Sequence, residues 1–429
     1  MSPSHAAPCH ADEPTRTETI VLGLVGATYP LYLVGALYPV GAALGWWLAL
    51  AGLAAFLLDP RRPEIPLSIF LVLGSMGAML IAVWAGLLDF RHTWTSVLKS
   101  SVGWAKGWAL LAVYPFAALG TRISTERLAA AWSRVAVLSL ALSPFLFLAA
   151  KAGLPEILYV SPLEIVGGAT RHFFVVRLFS GDFGELRLWY FAPWAPAAAL
   201  CSCLMAVVVW RDPDPKRRRL GLCGALVMVY MSGSRLGLLV LAVVFGLEAV
   251  RRLWRSPWIW TAGAILLVAL PLAADGLGVA LEDFADRFTR SRLESSRVRS
   301  ALARLAVQRW QEEAFWWGHG TVERGPWSVE FMPIGSHHTW LGLLFVKGLV
   351  GVLALFVFFL ACGVSLWRRR RHPDARSAGA VLLVLFLFTP GENLEILAYL
   401  VWPALLVLGN GLKAPIHRHA QPELGGTTL

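Results

Sequence analysis

The sequence predicts an all-α, polytopic membrane protein of about twelve transmembrane helices, with one large helical loop between the ninth and tenth spans. Three observations predict it. Hydrophobic residues make up 57% of the 429 residues and charged residues only 15%, with a mean hydropathy of +0.61, a balance that no soluble domain of this length needs or tolerates. Apolar runs near the length that carries an α-helix across the hydrocarbon core recur along the whole chain. The connections between them alternate between basic and less basic, as the positive-inside rule requires.

Residues 1–17 are polar, containing Pro, Asp, Glu and Thr, and do not begin as a cleaved signal peptide begins. The apolar runs then fall at roughly 19–37, 41–58, 66–86, 103–119, 131–149, 192–210, 219–232, 236–250, 257–273, 339–363, 378–389 and 393–408. The seventh and eleventh are short. Each adjoins a tight connection, Ser232-Gly233-Ser234-Arg235 or Pro390-Gly391-Glu392-Asn393, which suits paired helices returning through the same leaflet. Residues 1–273 thus hold spans one to nine behind a cytoplasmic N-terminus, 274–338 form the Arg-rich outer loop, and 339–429 hold the last three spans and a cytoplasmic tail.

The basic connections set that orientation. Arg61 with Arg62, Arg122 with Arg127, Arg211 with Lys216 to Arg219, Arg251 with Arg252 and Arg255, Arg368 to Arg371 with Arg376, and Lys413 with Arg418 all belong to even-numbered connections or the tail. The net charge of +11 would suggest nucleic acid in a soluble protein. Here it is assigned to loops that orient helices and touch membrane lipids, and no nucleic acid partner is expected. Several tryptophans, among them Trp46, Trp84, Trp189 and Trp340, fall near predicted interfaces and read as an aromatic belt.

Two outward connections are long, Lys151 to Trp189 and Asp275 to Ser336. The second contains Arg287, Arg290, Arg292, Arg297, Arg299, Arg304, Arg309 and Arg324, against the sorting bias, so orientation is not their purpose. Ser295 to Trp310 places Val298, Ala301, Leu302 and Leu305 at helical spacing, which predicts a basic amphipathic helix lying on the outer leaflet. Arginine rather than lysine throughout favours bidentate contact with phosphate.

His337 and His338 stand at the first turn of the tenth span. A helix N-terminus attracts phosphate and depresses the basicity of an adjacent imidazole, and a neutral histidine there can accept a proton. Arg235, in a connection too short to let it wander, reads as a fixed anion ligand rather than a cation snorkelling to headgroups. Glu282, Asp283, Asp286, Glu294, Glu312 and Glu313 read as salt-bridge partners or solvated charges, without metal spacing. Glu392 with Asn393 can orient a substrate hydroxyl but ranks below these candidates. Cys201, Cys203, Cys223 and Cys362 lie in apolar segments and Cys9 in the polar N-terminus, so neither a disulfide framework nor a metal cluster is expected. No cofactor is expected either.

These features together resemble the O-antigen ligase and polymerase superfamily of bacterial envelope glycosyltransferases. Ser234-Arg235 is similar to the family's Ser-Arg turn. His337-His338-Thr339-Trp340-Leu341, followed by Gly348-Leu349-Val350-Gly351, is similar to its late His-Asn-x-x-Leu helix and Gly-x-x-Gly, with a histidine where asparagine is usual, so that the two histidines can exchange roles. Upstream of Gly318-His319-Gly320 the family's loop arginine is matched by Arg299 with one residue inserted, with Arg297 close behind.

The resemblance implies an active site facing the periplasm at the bacterial inner membrane. There a glycan would pass from an undecaprenyl diphosphate carrier to a hydroxyl acceptor, which in the family's ligases is lipid A-core, giving lipopolysaccharide. It implies His337 or His338 as the base, and Arg235, Arg299, Arg297 and Arg292 as diphosphate ligands, with inversion in one displacement and neither metal nor cofactor. Polymerases and protein O-oligosaccharyltransferases share these motifs. A lipid or solute transporter is the alternative of a different class, though charge here concentrates at one face and only Lys347 lies well inside a late span.

Overall fold

A computed structural model describes residues 13–58, 65–167, 171–181, 186–253, 256, 261, 265, 293–329, 331–335 and 338–415. The chain is mainly helical. Among the described residues, four helices, Leu37–Leu58, Leu67–Asp89, Thr125–Lys151 and Thr339–Arg368, are long and apolar enough to cross a membrane, and a fifth span is added if the bent pair Trp94–Lys106 and Leu110–Gly120 counts as one. The predicted ninth span and the loop as far as residue 292 lie outside the described residues.

Several predicted spans are interrupted. The first is two helices, α1 (Arg16–Gly26) and α2 (Thr28–Leu33). Pro30 lacks an N–H and its ring would meet the residue 26 carbonyl in a continuous helix. α3 (Leu37–Leu58) and α4 (Leu67–Asp89) follow unbroken. α5 (Trp94–Lys106) and α6 (Leu110–Gly120) meet at a 49° bend beside Gly107. α7 spans Thr125–Lys151.

The connection from Lys151 to Trp189 adds a few short strands to the mainly helical chain. Strands β1 (Ile157–Val160) and β2 (Val175–Arg177) pair antiparallel, as do β3 (Phe179–Ser180) and β4 (Arg187–Leu188), with a short helix α8 (Glu164–Gly167) between the two pairs' first members. Their β-branched and aromatic residues fit a pleated surface better than a helix.

α9 (Ala195–Val209) is buried on all sides and forms the centre of the bundle, the place of a helix that is apolar all round. α10 (Pro215–Met231) and α11 (Arg235–Leu253) turn about Gly233, whose φ of 62° is one a side chain rarely adopts. α12 (Leu293–Glu313) carries the outer-loop arginines.

α13 (Thr339–Arg368) is broken at Gly348, with φ 59° and ψ −159°. The loop before it closes the break. Phe345 and Val346 carbonyls accept from His319 and Gly320 amides at 2.9 Å, and Leu349 and Val350 amides donate to Phe315 and Trp316 carbonyls at 2.9 and 3.2 Å. Backbone groups freed inside an apolar bundle persist only when satisfied in this way. α14 (Pro373–Phe388), the four-residue α15 (Leu394–Leu397) and α16 (Trp402–Lys413) complete the chain, so the predicted twelfth span is divided.

Basic connections gather at one end. Buried Glu18 pairs with Arg127, and Arg211 bridges Glu126 and Asp374. Arg217 meets the buried Asp212 at 2.7 Å, and Arg376 meets Glu248 at 3.3 Å. The strands, the α10–α11 turn, the start of α13 and the α14–α15 turn lie at the other end, where they pack on one another.

Candidate functional site

The start of α13 is fastened to the turn after α14. Thr339 donates its hydroxyl to the Glu392 carbonyl at 2.5 Å and accepts from the Leu394 amide at 3.2 Å. The Thr339 amide donates to the Thr389 carbonyl, and the Trp340 indole N–H donates to the Thr389 hydroxyl at 2.8 Å. Gly391 in turn sits against Leu236, the residue after Arg235, so closely that a Cβ there would lie 2.4 Å from its side chain. Three short motifs far apart in sequence therefore meet at one point: the Ser234-Arg235 turn, His338, and Glu392.

Glu392 is the centre of this arrangement. It is 7% exposed, and its Oε2 accepts from the Trp194 indole N–H at 2.9 Å. Burial pushes its carboxyl up to about 7, against the opposing effects of that hydrogen bond and of the Arg299 charge. Trp194 also stacks near His172 and Phe173, with ring centroids 6.0 and 6.2 Å away.

His338 caps α13. Its Nδ1 accepts from the Leu341 amide at 3.4 Å, and burial lowers its basicity. A ring nitrogen that accepts carries no hydrogen, so in the neutral ring the hydrogen sits on Nε2. His337 and Arg292 lie outside the described residues.

α12 does carry its apolar residues on one face, but that face does not rest on lipid. Val298, Leu302 and Ala306 pack against Val329, Ile334, Phe345 and Val346 of the chain itself. The expectation of a helix lying on the outer leaflet is therefore corrected: its apolar stripe is already covered by α13. A second contact fixes the helix in place. Arg309 lies over the Phe345 ring at 5.1 Å and pairs with Glu313 at 2.8 Å and Glu323 at 2.6 Å. His319, fully buried between Phe90 and Phe345, reaches the Phe345 carbonyl through Nδ1 at 3.0 Å and Glu313 through Nε2 at 2.7 Å. Arg309 first, then His319, holds the Glu313 carboxyl down to about 2.

That docking separates two candidates the sequence left side by side. At 100° per residue, Arg297 and Arg299 flank the buried Val298 on opposite sides. Both are exposed, and Arg299 is the one whose charge acts on Glu392.

Sequence reasoning missed Arg187 and His172 and ranked Glu392 too low. Arg187 is 6% exposed, donates from Nη2 to the Gly233 carbonyl at 3.1 Å, and has no hydrogen-bond partner for its Nε among the described residues. A buried guanidinium against the Ser-Gly-Ser-Arg turn adds a second cation beside Arg235. The signal for it was weak, an arginine in an outward loop with no recognisable spacing. Glu392 stands in a four-residue turn, which reads as exposed until α9 and α13 are packed over it. No protein-family model and no curated protein sequence matches the chain.

Proposed function

We propose that the chain is a polytopic glycosyltransferase of the bacterial inner membrane, with twelve spans, both termini cytoplasmic and its site facing the periplasm. It ligates an O-antigen glycan carried on undecaprenyl diphosphate onto lipid A-core, completing lipopolysaccharide. The observation that supports this most is the meeting of Arg235, Arg187, Arg299, His338 and Glu392 at the end of the bundle opposite the ion-paired basic connections. A cluster of guanidinium groups at a helix N-terminus suits a diphosphate leaving group, and the apolar helices behind it suit a polyprenyl tail.

The acceptor hydroxyl attacks the anomeric carbon as its proton passes to a histidine. The bond from that carbon to the diphosphate oxygen breaks, and the departing electron pair is stabilised by the arginines, giving inversion in one displacement. For His338 to take the proton, Nδ1 must release the Leu341 amide, and a 3.4 Å contact is cheap to release. Exchange of roles with the adjacent His337 is the other route. Glu392, whose carboxyl burial pushes up to about 7, orients the hydroxyl. In this reading the arginines neutralise charge, and neither metal nor nucleotide is required.

Purified protein given the lipid-linked donor and lipid A-core, with chelator and without ATP, is expected to form glycosylated core. Undiminished transfer after both histidines are changed to alanine would remove the proposed base. In cells lacking the gene, a ligase restores attachment of all O-antigen to core, whereas loss of a polymerase still leaves single units attached.

One observation favours a transporter. Lys347, 2% exposed, meets Glu395 at 3.4 Å beside the break at Gly348, and buried charges at broken helices mark transport pathways. Movement of intact lipid-linked donor across liposomes without glycan transfer would establish that reading instead.

A further inference from the structure

At the opposite end of the molecule from this site, α4 and α13 part to leave a groove of about 370 Å³. Its walls are apolar, supplied by Leu71 of α4 and by Leu360 and Val364 of α13. Its floor and one end are polar. Ser68 is 8% exposed, and its hydroxyl has no hydrogen-bond partner among the described residues. Arg368 and Arg369 close the same end.

Arg369 is held there by its neighbours, donating from Nε to the Ala414 carbonyl at 2.7 Å and from Nη1 to the Ser365 hydroxyl at 2.6 Å. Arg368 has no carboxylate partner among the described residues and is exposed. The end is also the N-terminus of α4, a 23-residue helix whose cap residue, Pro66, makes no side-chain cap hydrogen bond. A helix N-terminus without a side-chain cap, its dipole, an unpartnered hydroxyl and two guanidinium groups thus converge, and each favours an anion, phosphate above all.

The rest of the groove defines the other half of the ligand. From Arg368 back to Val357, its far lining residue, α13 rises about 17 Å at its usual pitch. That is the reach of an extended acyl chain. A free phosphate would leave this apolar length empty, and a neutral lipid would leave the cations unmatched.

We propose that this groove binds one anionic glycerophospholipid, with its phosphate between Arg368, Arg369 and the α4 N-terminus and one acyl chain laid along α13 toward Val357. Basic pockets between helices on the side rich in basic loops are where anionic headgroups are recognised. The site is independent of the glycan-transfer reading, since none of its residues belongs to the cluster at the other end.

Native mass spectrometry of the full-length protein, loaded with equal amounts of phosphatidylglycerol and phosphatidylcholine of identical chains, tests it. One phosphatidylglycerol is expected to be retained in preference to phosphatidylcholine. Arg368→Gln is expected to weaken that retention about fivefold, the effect of one cation near an anionic headgroup. Ala361→Trp, which fills the groove, is expected to abolish it while circular dichroism reports unchanged helicity, and if that variant does not fold, Arg368→Gln carries the test alone. Equal retention of the two lipids, unchanged retention in Arg368→Gln, or displacement by an equal concentration of undecaprenyl phosphate would each overturn the proposal.

Discussion

The clusters of arginine at the two ends of the bundle differ in what most of them face. At the basic end, each of Arg127, Arg211, Arg217 and Arg376 faces a carboxylate of another segment or of its own cap. At the other end, Arg187 donates to a carbonyl rather than a carboxylate, and the Arg299 charge acts on a glutamate whose ionisation burial opposes. The contrast has exceptions at both ends: Arg309, which fastens α12 to α13, is neutralised by Glu313 and Glu323, Arg177 meets Glu156 at 3.8 Å, and at the basic end Arg369 donates to the Ala414 carbonyl and the Ser365 hydroxyl. Paired arginines hold helices together. Arginines left with carbonyls and a reluctant acid keep a positive field for something not part of the chain.

That contrast can be broken most strongly at Arg127. Changing it to alanine leaves Glu18, 1% exposed, as a buried charge without its partner, and is expected to cost about 3 kcal/mol of stability. Denaturation in detergent would measure the loss, and transfer by the protein that remains folded is expected to be unchanged. A fall in transfer with no loss of stability would erase the distinction between the ends.

Glu392 gives the next largest effect, and its sign is fixed by direction. Its folded carboxyl binds a proton more tightly than the unfolded chain does, so its contribution to stability is fully present below the ordinary glutamate range. It is lost as pH rises through about 7. Melting measured from pH 5 to 8 is expected to show the wild type losing on the order of 3 kcal/mol, a slope that Glu392→Gln removes. Identical slopes in the two proteins would place Glu392 in water.

Arg299→Ala is expected to lower glycan transfer roughly a hundredfold at unchanged stability, the effect of removing one group that stabilises developing charge. Arg304→Ala, an exposed position on the same helix, is expected to alter stability by no more than about 0.5 kcal/mol and to leave transfer nearly as it was. Equal losses in the two would reduce the helix to a general basic surface. Assay of both with one donor preparation separates these outcomes.

Much of the frame was legible in the chain. Apolar runs located α3, α4, α7, α9, α10, α11, α13 and α14 to within several residues, because burial in apolar surroundings demands long unbroken stretches of such residues. The spacing of Val298, Leu302 and their neighbours marked α12 for the same reason. Breaks were harder to read. Gly348 and Gly107 are ordinary glycines within apolar sequence, and whether a helix bends there depends on a second segment, residues 315–320 in the first case, arriving to satisfy the freed backbone groups.

The sequence by itself determined where the long apolar helices lie, which loops are basic, and that arginines and two histidines stand beside a helix start, since these follow from composition and period along one chain. Only the tertiary structure decided that the Arg299 charge acts on Glu392, that Glu392 is buried, and that Arg187 lies against the turn of Arg235. Those choices depend on which faces touch. A side chain's charge and solvation are set by neighbours hundreds of residues away, and nothing in the local pattern records them.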